Sequence, residues 1–330
     1  MDKKIDFVLI WVDGGDVNWQ KERNRYAGKD PEDLADYRFR DWENLKYWFR
    51  GVEKFAPWVN NIYFITCGHY PEWLNLKHPK LKFIKHEDYI PKEYLPTFSA
   101  NPIELNFHRI KDLEEQFVFF NDDTFLIDHV KKEDFFEKGL PKYIAALDIP
   151  MNGDATFEHI LLNDIQIINK YFKKQNVIKN NFKKWFCISY GTNLLIKNCL
   201  LLPFKHFSSF KNLHMPTPIL KSTMNELWKK EYEKLNRTSM NKFRTSEDIN
   251  QYVFAWFDIA KGNFKPAKRK NGEYFQIKKD NEDMLNCIKN NSKKMICLND
   301  TSEEFDFERA KKEIINAFEI ILPDKSKFEL

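Results

Sequence analysis

Two short stretches carry the residue types best suited to chemistry. The first is Phe119-Phe120-Asn121-Asp122-Asp123-Thr124-Phe125, in which the apolar run FVFF ends in adjacent carboxylates. Neighbouring residues of an ideal strand point to opposite faces, so only one acid could then serve a ligand. A strand that ends at Asn121 frees both Asp122 and Asp123 to hold a hard divalent cation, whose ligands are oxygens. A plain surface turn is the competing reading, because Asn and Asp are common turn residues. The second stretch is Asp13-Gly14-Gly15-Asp16, which follows the run DFVLIWV. Its glycines let backbone N–H groups approach a ligand without a Cβ in the way. Its acids suit a ribose or sugar hydroxyl, and an ordinary Asp-Gly-Gly turn remains open.

Further polar residues sit where a cleft could form. Glu104 and His108 are four apart and share a face of a helix. Arg109 is displaced by about 100° on that helix, and its guanidinium fork suits phosphate. His214, in the stiff run His-Met-Pro-Thr-Pro, titrates near neutrality and can take a proton from a hydroxyl. A lone exposed loop histidine is the plainer reading. Arg244 precedes Ser246-Glu247-Asp248, where Ser246 suits an N-cap and the acids suit the positive end of a following helix. Asn299 and Asp300 end a further apolar run and would pass for a turn if read alone.

The elements that must position these groups are legible from periodicity. Strands are expected at 6–12, 61–66, 81–85, 117–121 and 143–147. Apolar gaps of three and four predict a helix over 43–55, ended by Pro57, and a second over 102–114 with Pro102 in its first turn. Alternating strands and helices imply a Rossmann-like α/β architecture with a mixed or mostly parallel sheet. In such sheets ligands bind beyond the carboxyl ends of strands, where Asp13, Thr66-Cys67-Gly68 and Asp122-Asp123 all fall. From about 157 the pattern turns helical. A proline-containing loop over 205–218 separates it from helices expected at 219–235 and 246–260. One more amphipathic helix is expected beyond 303, packing on the domain by default. The chain divides into an α/β core, 1–150, carrying donor and metal groups, and a mostly helical portion, 151–330, that completes the site without folding independently.

Composition excludes several classes. With 53 Lys and Arg against 49 Asp and Glu, the net charge of +4 gives no case for nucleic acid. The lysine clusters Lys131-Lys132, Lys173-Lys174, Lys183-Lys184 and 265–270 read first as solvated surface, with an anionic polymer or acidic membrane face as alternatives. Five scattered cysteines show no metal-ligand spacing and no disulfide framework, which favours a reducing compartment. No stretch reaches about 18 apolar residues, so the expectation is a cytoplasmic protein, with peripheral attachment to the inner membrane face open. No Gly-x-Gly-x-x-Gly or Walker loop supports a nicotinamide or P-loop enzyme.

Four blocks in order resemble the Stealth family, which includes bacterial capsular polysaccharide phosphotransferases and the α/β subunit of GlcNAc-1-phosphotransferase. They are Ile5 to Trp19, Tyr37 to about Leu126, about His206 to Phe257 (HMPTPI and FRTSEDINQYVFAWF), and KMICLND from Lys294 to Asp300. The resemblance implies a glycosyltransferase-A-like fold and a sugar-1-phosphate transferase. Such an enzyme moves hexose or N-acetylhexosamine 1-phosphate from a UDP-sugar to a hydroxyl of an oligosaccharide or capsular polysaccharide, releases UMP, and uses Mg²⁺ or Mn²⁺. By position, Asp122 and Asp123 resemble the metal-binding acids and His214 the general base. Asp123, His108, Arg109 and Arg244 fall in the catalytic cluster. Asp13, Gly14, Gly15, Asp16, Glu104, Asp248, Asn299 and Asp300 fall near the donor. Membrane-associated capsule machinery is an implied partner. A metal-dependent glycosyltransferase releasing UDP, or a non-catalytic polysaccharide-binding or assembly protein, are the alternatives.

Overall fold

The computed structural model describes residues 3–27, 40–151, 153–301 and 304–330; Tyr37–Phe39, the start of the second resembling block, lie outside them. Eleven strands occur among the described residues. They are β1 (Ile5–Ile10), β2 (Ile62–Thr66), β3 (Leu81–Lys85), β4 (Gln116–Phe120), β5 (Thr124–Leu126), β6 (Phe136–Glu137), β7 (Leu140–Tyr143), β8 (Thr217–Leu220), β9 (Lys265–Pro266), β10 (Gly272–Gln276) and β11 (Met295–Asn299). The main sheet runs β3-β2-β1-β4-β8; its first four strands are parallel and β8 joins β4 antiparallel. The central strands are apolar throughout because both faces are covered. Phe7, Leu9, Phe64, Val118 and Phe120 face one cluster, whereas Val8, Tyr63, Ile65, Phe117 and Phe119 face the other, with the period of two a strand imposes.

Helices Leu45–Phe55 and Phe307–Ile321 cover the first face. The second of these is the expected C-terminal helix. It is capped by Asp306 and packs on the domain, with Phe318 stacked on Tyr47 at 5.2 Å. Helices Ala155–Tyr171, Lys221–Lys230 and Tyr252–Lys261 cover the other face. A second sheet, β10-β11-β5, lies beside the main one. Gly51 of helix Leu45–Phe55 packs so closely on β5 that a Cβ there would meet the Leu126 carbonyl oxygen at 2.8 Å. The α/β class and helix-flanked, mostly parallel main sheet agree with the sequence, and the arrangement is consistent with a glycosyltransferase-A-like architecture.

Four expectations about elements are corrected. The helix expected over 102–114 is only Ala100–Leu105. Asn106 interrupts it, its side chain bonding the Pro102 carbonyl, Ser239 Oγ and Arg109 Nε, and a 3-10 turn follows over Phe107–Arg109. The strand expected over 143–147 ends at Tyr143. The loop over 205–218 runs into β8, because Pro218 is tolerated on an edge strand. The helix expected over 246–260 begins only at Tyr252, so Ser246 does not cap it. Among the described residues, no helix is long and apolar enough to cross a membrane.

Candidate active site

The carboxyl ends of β1 and β4, the tip of β11 and the segment before β8 enclose a cavity of about 1060 Å³. It is lined, among others, by Glu104, Asp122, Asp123, His214, Arg244 and Asp300. The acidic turn is fixed from both sides. The Thr124 N–H and hydroxyl donate to the Asn121 carbonyl, at 3.1 and 2.7 Å, and the Leu298 N–H of β11 donates to the Asp123 carbonyl at 2.8 Å. The turn therefore sits at the end of a buried strand and cannot swing.

Asp123 is the hub of this cavity. Its Oδ2 lies 3.3 Å from His214 Nε2 and accepts from the Cys297 thiol at 3.3 Å. Its Oδ1 is buried with no hydrogen-bond partner among the described residues. An uncompensated buried carboxylate oxygen is costly, and such a group calls for a cation or donor from outside. Crowding by the protein, and next the Asp123 charge, raise the Asp122 pKa to about 7. The Asp122 side chain is open to the cavity, which tempers the size of that rise but not its sign.

His214 is strained by its surroundings, which also favour its protonated form. Its φ is +48°, in the left-handed region, and its N–H donates to Asn212 Oδ1 at 2.8 Å. Non-glycine residues hold such a conformation only when their surroundings impose it. Desolvation pushes the His214 pKa down, but the Asp123 charge and hydrogen bond, with Glu104 and Asp122 behind them, win and raise it. Glu104 is buried, which raises its pKa to about 7 against the opposing pull of Arg244 and His214. Arg244 has no carboxylate within 4.0 Å among the described residues, so its guanidinium is available to an anion.

Asp123, His214 and Cys297 bring an oxygen, a nitrogen and a sulfur atom within 4.8 Å of one another, a potential metal-binding cluster. Burial pushes the Cys297 thiol well up, so it stays protonated and acts as a donor to Asp123. Of these three groups only the Asp123 carboxylate is a hard oxygen ligand. The orphaned Asp123 Oδ1 fits a divalent cation that prefers oxygen.

Half of the residues singled out from the sequence do not line this cavity. Asp16 caps helix Val17–Tyr26, accepting from the Asn18 and Trp19 N–H groups at 2.8 Å each. Asp13 Oδ1 accepts the Gly15 N–H at 2.8 Å, the Asp13 N–H donates to His69 Nε2 at 2.8 Å, and the Gly14 carbonyl accepts from Gln20 at 2.6 Å. Because of the break at Asn106, Arg109 is exposed and its guanidinium lies 4.8 Å over the Trp228 ring, with His108 against the same ring at 5.2 Å. The meeting of Glu104 with His108 expected on one helix face is therefore absent. Asp248 is fully buried behind the cavity wall. It accepts from Asn101, Asn241 and both the N–H and hydroxyl of Thr245 at 2.7–3.2 Å.

Other lining residues escaped the sequence reading. Arg40 and Trp42 are two of them, and they hold Asp300, a residue the sequence did single out, at 3.6 Å and, through the Trp42 indole, at 3.2 Å. Asp41 beside them carries a charge felt by Asp122. Tyr274 of β10 faces the His214 ring at 6.1 Å. Cys297 is 174 positions from its partner Asp123, and only the fold joins them.

Comparison with known proteins identifies the family. Three Stealth regions match: conserved region 1 at residues 3–31, conserved region 2 at 38–143 and conserved region 4 at 286–330. The capsular polysaccharide phosphotransferase WcwK of Streptococcus pneumoniae is 44% identical over 330 residues, covering 99% of this chain and 98% of that one. The receptor polysaccharide phosphotransferase WefC of Streptococcus oralis is 40% identical over 335 residues, covering 99% of both. The exopolysaccharide phosphotransferase cps2G of Lactiplantibacillus plantarum is 36% identical, covering 98% of this chain and 96% of that one. The apo structure of the bifunctional glycosyltransferase WbbM aligns with 96% of this chain and 50% of its own, at 9% identity and a TM-score of 0.39, too weak a likeness to carry an argument. On the matched regions and the full-length relatives, the chain belongs to the Stealth family and is closely related to its bacterial polysaccharide phosphotransferases.

Proposed function

We propose that the protein is an enzyme that moves a sugar 1-phosphate from a UDP-sugar to a hydroxyl of a surface glycan, forming a phosphodiester and releasing UMP. The observation that carries this reading is the Asp123–His214 contact on the wall of a cavity that Glu104, Arg244 and Asp300 also line. The names of the full-length relatives support the reaction class. The cavity volume suits a nucleotide sugar with an acceptor beside it.

In this reading Arg244 grips the donor phosphates through its guanidinium fork. Glu104 and Asp300 orient donor hydroxyls and the residues around them. His214 donates its Nε2 proton toward Asp123, which leaves Nδ1 to take the acceptor proton. The acceptor oxygen then bonds to the phosphorus that carries the sugar, the bond from that phosphorus to the UMP oxygen breaks, and the proton passes from Nδ1 to solvent. The raised pKa makes the imidazole a stronger acceptor while shrinking its neutral fraction at pH 7. Mg²⁺ or Mn²⁺ on Asp122 and Asp123 would supply electrostatic stabilisation of the diphosphate oxygens. Residues 1–150 bring Glu104, Asp122 and Asp123 and 151–330 bring His214, Arg244 and Asp300, so in this reading neither portion holds the site alone.

The test uses purified protein, Mg²⁺, a panel of UDP-sugars and oligosaccharide acceptors. UMP and a phosphorus-containing glycan are the expected products, and His214→Ala should lower kcat by about 10²–10⁴. Release of UDP would assign a glycosyltransferase instead. Failure to bind nucleotide sugar or divalent ion would leave a polysaccharide-binding protein.

A further inference from the structure

One stretch of the chain, which reaches the cavity through His214 and its neighbours, has an unusual composition. Between Asp164 and Glu226 there is no acidic residue, while lysine occurs at 170, 173, 174, 179, 183, 184, 197, 205, 211 and 221. The same stretch bears much of the exposed apolar surface. Ile188 is 88% exposed, Leu200 69% and Phe204 62%, with Phe182 and Ile196 also exposed. Such side chains at that exposure are unfavourable in water unless something covers them.

The fold holds these residues outward. In helix Thr192–Leu201, Ile196 and Leu200 are one turn apart on one face. Asn198 lies about 180° away by helical spacing. It is buried, donates to the Ala145 and Trp185 carbonyls at 3.0 and 2.9 Å, and accepts from the Leu147 N–H at 2.6 Å. That clamp fixes the apolar face toward solvent. Buried Lys174 ties down the end of the helix, bonding the Leu201 and Phe204 carbonyls at 2.5 and 2.8 Å.

The charges flank the apolar side chains. Lys173, Lys179, Lys183 and Lys205 are exposed, and none has a carboxylate within 4.0 Å among the described residues. The basic tract over 265–270 lies alongside, joined through the Ser189 hydroxyl to the Ala267 carbonyl at 2.8 Å. The helix is also tied to the cavity. Lys197 and Lys211 both pair with Asp148, a residue of the cavity wall.

We propose that this face, centred on helix Thr192–Leu201 and Ile188, docks on an anionic lipid bilayer. The apolar side chains enter the interface and the unpaired lysines meet lipid phosphates, which brings the cavity mouth beside the membrane. A soluble polyanion would use the lysines but leave Ile188 and Leu200 in water. A bilayer interface satisfies both, as amphipathic basic surfaces do.

The experiment is co-sedimentation of the full chain with phosphatidylcholine vesicles and with mixed phosphatidylcholine–phosphatidylglycerol vesicles. Binding to the mixed vesicles only, weakened by salt, is expected. Leu200→Asp with Ile188→Asp should abolish it, and Lys179→Ala and Lys183→Ala should each weaken it about fivefold. These side chains are exposed, so circular dichroism should be unchanged. UMP release with a soluble acceptor should also persist in these variants, which separates failure of docking from failure of the transferase reading. Three outcomes would overturn the proposal: no binding to mixed vesicles, equal binding to neutral ones, or vesicle-independent self-association that the Asp variants dissolve. Binding of soluble anionic polysaccharide untouched by Leu200→Asp, with no vesicle binding, would assign the face to that polymer.

Discussion

The loops after β1 and β4 look alike as sequence and differ as structure. Each follows a buried apolar strand and carries two acids. In the first, Asp13 Oδ1 accepts from Gly15 in the loop and Asp16 Oδ1 from Asn18 and Trp19 at the start of the next helix. In the second, Asp123 keeps a buried oxygen without a partner, and Asp122 is crowded until its pKa rises to about 7. A carboxylate satisfied by its own backbone stabilises the fold. One left unsatisfied at a cavity wall is energetically costly to maintain, and such groups collect where a ligand will complete them.

The contrast can be broken by mutation. Asp123→Asn should have the largest effect, lowering kcat by about 10³ with little change in fold, checked by UMP release and circular dichroism. Arg244→Ala should follow, raising KM for the UDP-sugar about 10²-fold through loss of a charged hydrogen-bonding pair worth about 3 kcal/mol. An unchanged KM would remove Arg244 from the donor site.

Glu104→Gln sharpens the comparison through pH. Its carboxyl titrates at about 7 against a reference of 4.5. The folded protein thus holds more protons than the unfolded chain between those values, so stability declines as pH rises from 4.5 to about 7. The Gln variant should show a shallower decline in thermal melts, Asp122 and Asp258 still contributing to it, and lose about tenfold in kcat. The smallest effect belongs to the satisfied loop. Asp16→Ala removes an N-cap and should cost about 1 kcal/mol, with kcat within about twofold. The Trp19 N–H chiefly holds the Asp16 pKa below 3.8, so the cap's contribution is full above that value and vanishes as acid protonates it. Wild type and variant should therefore converge in acid.

Much of this was legible before any coordinates. FVFF followed by Asn-Asp-Asp reads as a buried strand ending in function because hydrophobic burial fixes where the strand stops. The parallel core follows from apolar runs that need two covered faces. The side of the chain on which Arg109 falls was not legible. Periodicity favoured one long helix, whereas Asn106 bonds the Pro102 carbonyl and starts a new turn. β8 was hidden by Pro218, which an edge strand accepts, and with it the reason His214 reaches Asp123. Cys297 and Asp41 enter through tertiary contacts that no spacing encodes.

Gly51 has a consequence far from its own helix. Helix Leu45–Phe55 rests directly on the Leu126 carbonyl, and β5 begins one residue after Asp123. A single methyl group at position 51 would wedge the two apart. The displacement would run down a three-residue lever into the acidic turn. The absence of a side chain at position 51 thus lets the acidic turn keep its place from a distance.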